Sequence, residues 1–241
     1  MHLLQGILGL LFPRSCVGCG VADPTPLPHL CRDCLMELHP ICDPFCRRCG
    51  RPAWGLIDGD YECSFCRETR PAFDSARSVM LFEGVLAEMI RMLKYRSALW
   101  LATDLAAFLQ HGWETFFPAD SFDIITYVPL HAWRRRLRGY NQAALLARGL
   151  GKSDRRALVR SCLIRTVPTA SQTRLTASQR LTNVRGAFAV RISSRKWVEG
   201  KRILLVDDVM TTGATASECA RALKAAGAQK VHVLTVARTL Y

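Results

Sequence analysis

The sequence predicts an α/β protein: a parallel sheet sheathed in helices, preceded by a small cysteine-rich ribbon domain held together by metal. Three observations carry this prediction. Nine of the eleven cysteines fall between positions 16 and 66, eight of them in four Cys-x-x-Cys pairs. From about residue 71, near-continuous apolar runs alternate with stretches that repeat apolar residues at helical spacing. Those apolar runs lead into polar or basic loops, and buried strands separated by helices imply a parallel sheet covered on both faces. A length of 241 residues with 49% hydrophobic and 22% charged content suits two globular units and excludes a disordered chain. The composition shift divides the chain into residues 1–70 and 71–241.

The opening "MHLLQGILGLLF" places Leu4, Ile7, Leu8 and Leu11 at helical spacing, which predicts a short amphipathic helix packed on the body. It is too short to span a bilayer and lacks a basic start and a cleavage site, so a cytoplasmic location is expected.

The pairs Cys16/Cys19, Cys31/Cys34, Cys46/Cys49 and Cys63/Cys66 follow. A Cys-x-x-Cys turn brings two thiolates onto one tetrahedral ion, and two turns complete a four-sulfur shell. With no position left open for water, two structural zinc ions are expected rather than a catalytic one. Sequential pairing is the simplest arrangement, and the spacing also allows an interleaved one. A redox role is the rival reading, but no helical pattern follows the pairs as a thioredoxin-like site requires. Cys42 is left over, while Cys162 and Cys219 read as small buried hydrophobes.

In the second unit, "GVLAEMIRML" sets Leu86, Met89, Ile90 and Leu93 on one helical face, and "ALWLATDLAAFLQH" continues as a second helix. "FDIITYVPL" is an apolar strand ending near Pro129. "NQAALLARGLG" is a helix with Asn141 as N-cap and Gly149 or Gly151 near its end. "ALVRSCLIRT" reads as one strand, and "KRILLVDD" and "VHVLTVAR" as two more. Between these last two lies the helix "ATASECARALKAAGA", with Cys219, Ala220 and Leu223 inward and Gly227 at C′. Parallel sheets bind ligands beyond the carboxyl ends of their strands. The loops 129–140, 166–187 and 207–215 are therefore the candidate site.

The charge is concentrated. Residues 131–202 hold eighteen Lys or Arg against Asp154 and Glu199 alone, a local excess of +16, while the whole chain carries +13. That points to an anionic partner, phosphates or nucleic acid, the alternative being a solvated basic surface.

"RILLVDDVMTTGATASE" supplies the chemistry. Asp207 and Asp208 stand where the strand surfaces, and paired carboxylates suit the vicinal hydroxyls of a ribose. Thr211, Thr212, Gly213, Ala214 and Thr215 then enter a helix whose free N–H groups and positive dipole end suit a phosphate. A helix cap alone needs one such residue, not this many. Together the two halves describe a site for a 5-phosphoribosyl group.

The stretch resembles the fingerprint of type I phosphoribosyltransferases, and that resemblance implies 5-phosphoribosyl-1-diphosphate bound with Mg2+. Along the chain, "LKYRS", "VPLHAWRRRLRGYNQ", "TASQTRLTASQRLTNVRGAF" and the cysteine pairs are similar to the ComF/GntX family over nearly the full length. The family implies a double zinc ribbon ahead of a phosphoribosyltransferase domain, with a role in DNA uptake, natural transformation or utilisation of imported DNA. Cys42 is an addition to the family pattern. Lys94, Arg96, Arg134, Arg135, Arg138, Arg174 and Arg180 become candidates for contacts with diphosphate or nucleic acid, since arginine forks match phosphate oxygens. Residues 169–187 lie where the fold places a mobile hood, or else form a fixed surface loop. Single-stranded DNA and DNA-processing proteins are the expected partners. The alternative is an active phosphoribosyltransferase of nucleotide metabolism with an unrelated small-molecule acceptor. A transcriptional regulator on the same fold is disfavoured by the lack of a helix-turn-helix or basic zipper.

Overall fold

The computed structural model describes residues 14–55, 57, 60–118, 121–153, 157–167 and 184–240. The amphipathic opening and most of the hood, including Arg174 and Arg180, lie outside the described residues.

The first ribbon carries the short strands β1 (Pro26–Leu27) and β2 (Leu30–Cys31), which pair antiparallel, and α1 (Arg32–Met36). The second carries α2 (Ser64–Thr69). The α/β body follows as β3 (Ser75–Leu81), α3 (Gly84–Tyr95), α4 (Ala102–Phe116), β4 (Ile124–Tyr127), α5 (Ala132–Arg138) and α6 (Gln142–Ser153). It continues as β5 (Leu158–Val159), β6 (Leu163–Arg165), β7 (Phe188–Val190), α7 (Arg195–Val198), β8 (Arg202–Met210), α8 (Ala214–Ala225) and β9 (Lys230–Arg238).

Five strands form one parallel sheet in the order β3-β9-β8-β4-β5. Its central strand shows why the apolar run is continuous. Leu204 and Val206 pack into a core with α3, α4 and α6, whereas Ile203 and Leu205 pack into a second core with α8. Successive side chains of a strand point to opposite faces, so a strand buried on both must be apolar at every position.

The ribbons extend both cores. Cys16, Cys31 and Cys34 join the first, and Cys46, Cys49, Cys63 and Cys66 join the second. The chain between the ribbons runs along the outer edge of β3, where Ile41 N donates to Val79 O at 2.9 Å and Leu81 N to His39 O at 2.9 Å. Lower on the same strand, Ala76 N donates to Arg48 O at 2.7 Å. An edge that would otherwise offer open hydrogen-bonding groups is thereby covered. His29 of the first ribbon places Nδ1 2.9 Å from Asp104 Oδ2 on α4, with the Trp100 ring 4.3 Å away. Asp104 is fully buried, and that burial pushes its carboxyl above the usual range.

Three expectations need correction. The arginine-rich stretch after β4 is not a loop: Ala132–Arg138 forms α5, with no side chain buried. An amphipathic pattern was absent because α5 has no buried face to encode. Gly149 and Gly151 lie near the end of α6, as expected. A Cβ there would come 2.5 Å from Ala106 Cβ and 2.2 Å from Val159 Cγ2, so they serve close packing. "ALVRSCLIRT" is two strands, of which β5 borders the main sheet while β6 pairs antiparallel with β7. Finally, β8 does not stop at the aspartates but runs on to Met210. Among the described residues no helix is long and apolar enough to cross a membrane.

Candidate functional site

Two cysteine constellations are preformed. The sulfurs of Cys16, Cys19, Cys31 and Cys34 all lie within 4.8 Å of one another, as do those of Cys46, Cys49, Cys63 and Cys66. Sequential pairing is therefore the arrangement adopted, and two structural zinc ions fit these donor sets. Backbone donors point at the sulfurs: Cys31 N at Cys16 Sγ (3.4 Å), and Cys49 N and Cys63 N at Cys46 Sγ (3.5 and 3.4 Å). Such contacts favour thiolates over thiols. Beneath the second cluster, the buried Arg238 at the end of β9 donates to Cys49 O at 2.6 Å, with Nη2 3.7 Å from Cys49 Sγ. Cys42 is exposed and outside both clusters. Cys162 and Cys219 are buried, and burial pushes both thiols up, away from nucleophilic reactivity.

At the carboxyl end of β8, Asp207 is half-buried and Asp208 almost fully buried. Asp207 Oδ1 accepts from Asp208 N at 2.9 Å. Asp208 Oδ1 lies 2.8 Å from Lys94 Nζ, delivered by the last turn of α3. Asp208 Oδ2 is buried and meets no hydrogen-bond partner among the described residues. Burial, with the Asp208 charge adding to it, pushes the Asp207 carboxyl up to about 8; Lys94 and Arg165 offset part of this. A carboxylate held this far from ionisation beside an orphaned buried oxygen is a site short of donors and positive charge. Hydroxyls would supply the donors, and a divalent cation the positive charge.

Gly213 makes the turn into α8. Its φ of +82° is left-handed, and a Cβ there would come 2.6 Å from Met210 Cε. Any other residue would be strained and crowded at once. Thr212 is buried, with its Oγ1 accepting from Ala214 N at 3.3 Å, and Ser217 N donates to Gly213 O at 2.8 Å. A small pocket of about 60 Å³ beside this turn is walled by Phe65, Thr69 and Pro71 together with Thr212, Gly213 and Ser217. Ser217 Oγ accepts from Ala72 N at 3.0 Å. The second ribbon and the turn after it therefore brace the loop that the sequence marks for phosphate.

The two basic motifs meet across the first core. Tyr140 Oη donates to Leu93 O, and Arg138 donates to Gln142 Oε1 at 2.6 Å while its guanidinium lies 5.3 Å from the centre of the Tyr95 ring. Asn141 does cap α6, its Oδ1 accepting from Ala144 N at 3.3 Å while Nδ2 donates to Val128 O at 3.0 Å. Arg96 Nη1 stands 3.7 Å from Glu88. Arg165 on β6, not singled out from the sequence, feels both Arg134 and Asp207, and burial lowers its affinity for its proton. A short apolar strand gives no signal that its last residue comes within the field of Asp207. A cleft of about 480 Å³ opens past the end of β4, walled in part by Leu130, Arg135, Tyr140 and Arg165. Neither aspartate lines it.

Comparison with known proteins agrees with this layout. The model of a double zinc ribbon domain matches residues 7–70, and that of a phosphoribosyl transferase domain matches residues 138–240. The chain is similar to the DNA utilization protein YhgH of Escherichia coli, at 32% identity over 81% of this chain and 84% of that protein. It is also similar to Competence protein F of Haemophilus influenzae, at 27% identity over 87% of this chain and 90% of that one. For Competence protein ComFC of Bacillus subtilis the identity is 27%, over 89% and 86% respectively.

Proposed function

Because the chain belongs to the family of DNA utilization protein YhgH and competence proteins F and ComFC, we propose that its strand-end site binds 5-phosphoribosyl-1-diphosphate in the service of DNA uptake or the utilisation of imported DNA. The observation that carries this reading is the acidic pair near the end of β8, separated from Thr211–Thr215 by Val209 and Met210 alone, with one buried carboxylate oxygen of Asp208 meeting no donor among the described residues. Asp207 and Asp208 accept the ribose hydroxyls, and the turn with the first N–H groups of α8 takes the 5-phosphate. Arg134 and Arg135 on α5, with Arg165, meet the diphosphate. Mg2+ supplies charge neutralisation on that diphosphate when bound, and Asp207 and Asp208 are the carboxylates available to it.

Calorimetric titration with 5-phosphoribosyl-1-diphosphate and Mg2+ tests the site. Saturable binding is expected, weakened about tenfold to a hundredfold by Asp208→Asn or Thr212→Ala, the scale of hydrogen bonds to charged groups. A wild-type protein that binds nothing refutes the assignment. The same titration has a pH signature. The free protein holds a proton on Asp207 up to about pH 8, and a ligand needing the ionised pair must expel it. Affinity should therefore rise as pH climbs toward 8 and level off above, and Asp207→Asn should flatten the profile. The sign for stability is opposite. The raised carboxyl favours the unliganded fold fully below the ordinary carboxylate value of 3.8, and that contribution is lost progressively as pH rises from there to about 8.

Single-stranded DNA fits the exposed face of α5. Trp133 is 64% and Leu137 75% exposed there, interleaved with Arg134, Arg135 and Arg136. A base stacks on an exposed indole while guanidinium groups follow the phosphates. Fluorescence anisotropy should show binding that weakens with salt, and that falls about tenfold or more when Trp133 and two of these arginines are replaced. Unchanged affinity would place DNA elsewhere.

A further inference from the structure

The two cysteine clusters differ in what surrounds them. In the second, all four cysteines are buried. They share a core with Phe73 and Ala214, Arg238 lies against Cys49, and Ala76 N on β3 donates at 2.7 Å to the carbonyl of Arg48, between two of the ligands. In the first, Cys16, Cys31 and Cys34 are buried but Cys19 is exposed. Gly18 shows why. A Cβ there would come 2.6 Å from Cys34 Sγ and 3.2 Å from Val85 Cγ2, so the turn is pressed onto an inner sulfur and α3. Cys19 is left as the outermost ligand, followed by Gly20 with open space around it. Its Sγ lies 3.6 Å from that of Cys31. A zinc ligand is held as a thiolate, and susceptibility to oxidation follows thiolate character and exposure. The two sites therefore offer very different access to an oxidant arriving from solvent.

We propose that Cys19 is a site of oxidative modification by hydroperoxides, through which the first ribbon, and not the second, gives up its zinc. The Cys19 thiolate attacks the peroxide: an S–O bond forms, the O–O bond breaks, and hydroxide leaves and is protonated to water. Cys19 is thereby oxidised to a sulfenic acid and the peroxide reduced. The neighbouring Cys31 thiolate then attacks the sulfenic sulfur, forming the S–S bond and breaking S–O, and a second hydroxide leaves as water. In sum, two thiolates, one hydrogen peroxide and two protons give one disulfide and two waters, and a site short of two ligands releases its metal. The ribbon is tied to the body by Val17, Leu27 and Leu35, which pack on the first core, and by His29, which pairs with Asp104. Cys31 ends β2, two residues after His29, so loss of the metal undoes the fold that presents these groups. The second ribbon keeps its ion and continues to wall the Thr212–Gly213 turn. The inference rests on zinc filling both clusters and stands whatever the acidic pair binds.

The test adds hydrogen peroxide to the reduced, zinc-loaded full chain, follows free zinc with a metallochromic dye, and maps disulfides by mass spectrometry as release proceeds. One zinc per chain should appear at least about tenfold faster than the other, because the buried sulfurs react only after local opening. When the first ion has left, Cys19 should be joined to a cysteine of its own cluster, Cys31 being at 3.6 Å, while Cys46, Cys49, Cys63 and Cys66 remain reduced. Cys19→His keeps a nitrogen ligand for zinc but removes the exposed thiolate, and should slow the first release about tenfold or more. If histidine does not hold the first ion, a sulfenic-acid trap such as dimedone decides on the wild type, with Cys19 the residue expected to carry the adduct. Simultaneous loss of both ions overturns the proposal. So does earlier oxidation of the second cluster, a reduced Cys19 after the first ion has left, or a zinc-loaded Cys19→His variant that releases as the wild type does.

Discussion

Removing the second zinc should unfold more of this protein than a local site would. Cys63→Ala takes one of four ligands from a cluster whose sulfurs all lie within 4.8 Å. Structural zinc contributes about 10–16 kcal/mol to the folding of isolated zinc-binding peptides, and most of that is forfeited when a ligand goes. Here the cluster is also part of the body. Cys46, Cys49, Cys63 and Cys66 share a core with Phe73, Ala76 and Ala214, and Arg238 at the end of β9 reaches up to Cys49. Loss of metal leaves that buried guanidinium without its anionic neighbour and releases the wall of the Thr212–Gly213 turn. Metal analysis should find two zinc ions per wild-type chain and one in Cys63→Ala. The melting temperature should fall by on the order of 10 °C or more, because ~1 kcal/mol corresponds to ~2–4 °C at this size. Phosphoribosyl binding should weaken alongside. Two ions retained with an unchanged melt would mean that the four sulfurs do not form one site.

Lys94→Ala should have the next largest effect. Lys94 Nζ is 2.8 Å from Asp208 Oδ1, with side-chain exposures of 19% and 4%. Breaking a buried pair from one side leaves an uncompensated charge, which costs about 3–5 kcal/mol. The partial exposure of the lysine places this case near the lower limit. Combining it with Asp208→Asn removes the orphaned charge, so the double variant should recover much of the stability that Lys94→Ala loses. Urea unfolding of the four proteins in a double-mutant cycle reads the coupling directly. A coupling below about 0.5 kcal/mol would show that the pair contributes little to the fold. The pairing also gives Lys94 a defined task. It holds the Asp208 carboxylate in place at the strand end, leaving phosphate contact to the arginines.

Much of this was legible in the primary structure, for reasons that are local. Four Cys-x-x-Cys turns announce metal because the ligand spacing is a property of a few successive residues. The strand "KRILLV" and the helix face Cys219, Ala220 and Leu223 announce themselves because burial on two faces or on one imposes its own period. Signals failed where burial imposes no period. Helix α5 lies on the surface with nothing buried, so its arginines carried no pattern. Gly149 and Gly151 do lie near the end of α6, but nothing local records that Ala106 and Val159 press against them.

The sequence by itself determined the class of fold, the two sets of four cysteines and the place of the acidic pair just ahead of a Thr- and Gly-rich turn, since each depends on neighbours a few positions apart. Only the tertiary structure decided which thiols share an ion, that Lys94 rather than a ligand faces Asp208, that Arg165 stands by Asp207, and that arginines from four elements open onto one cleft. The reason is the strand order. Placing β8 between β9 and β4 brings the carboxyl ends of strands far apart in sequence to one rim, and no local period records which side chains will meet there.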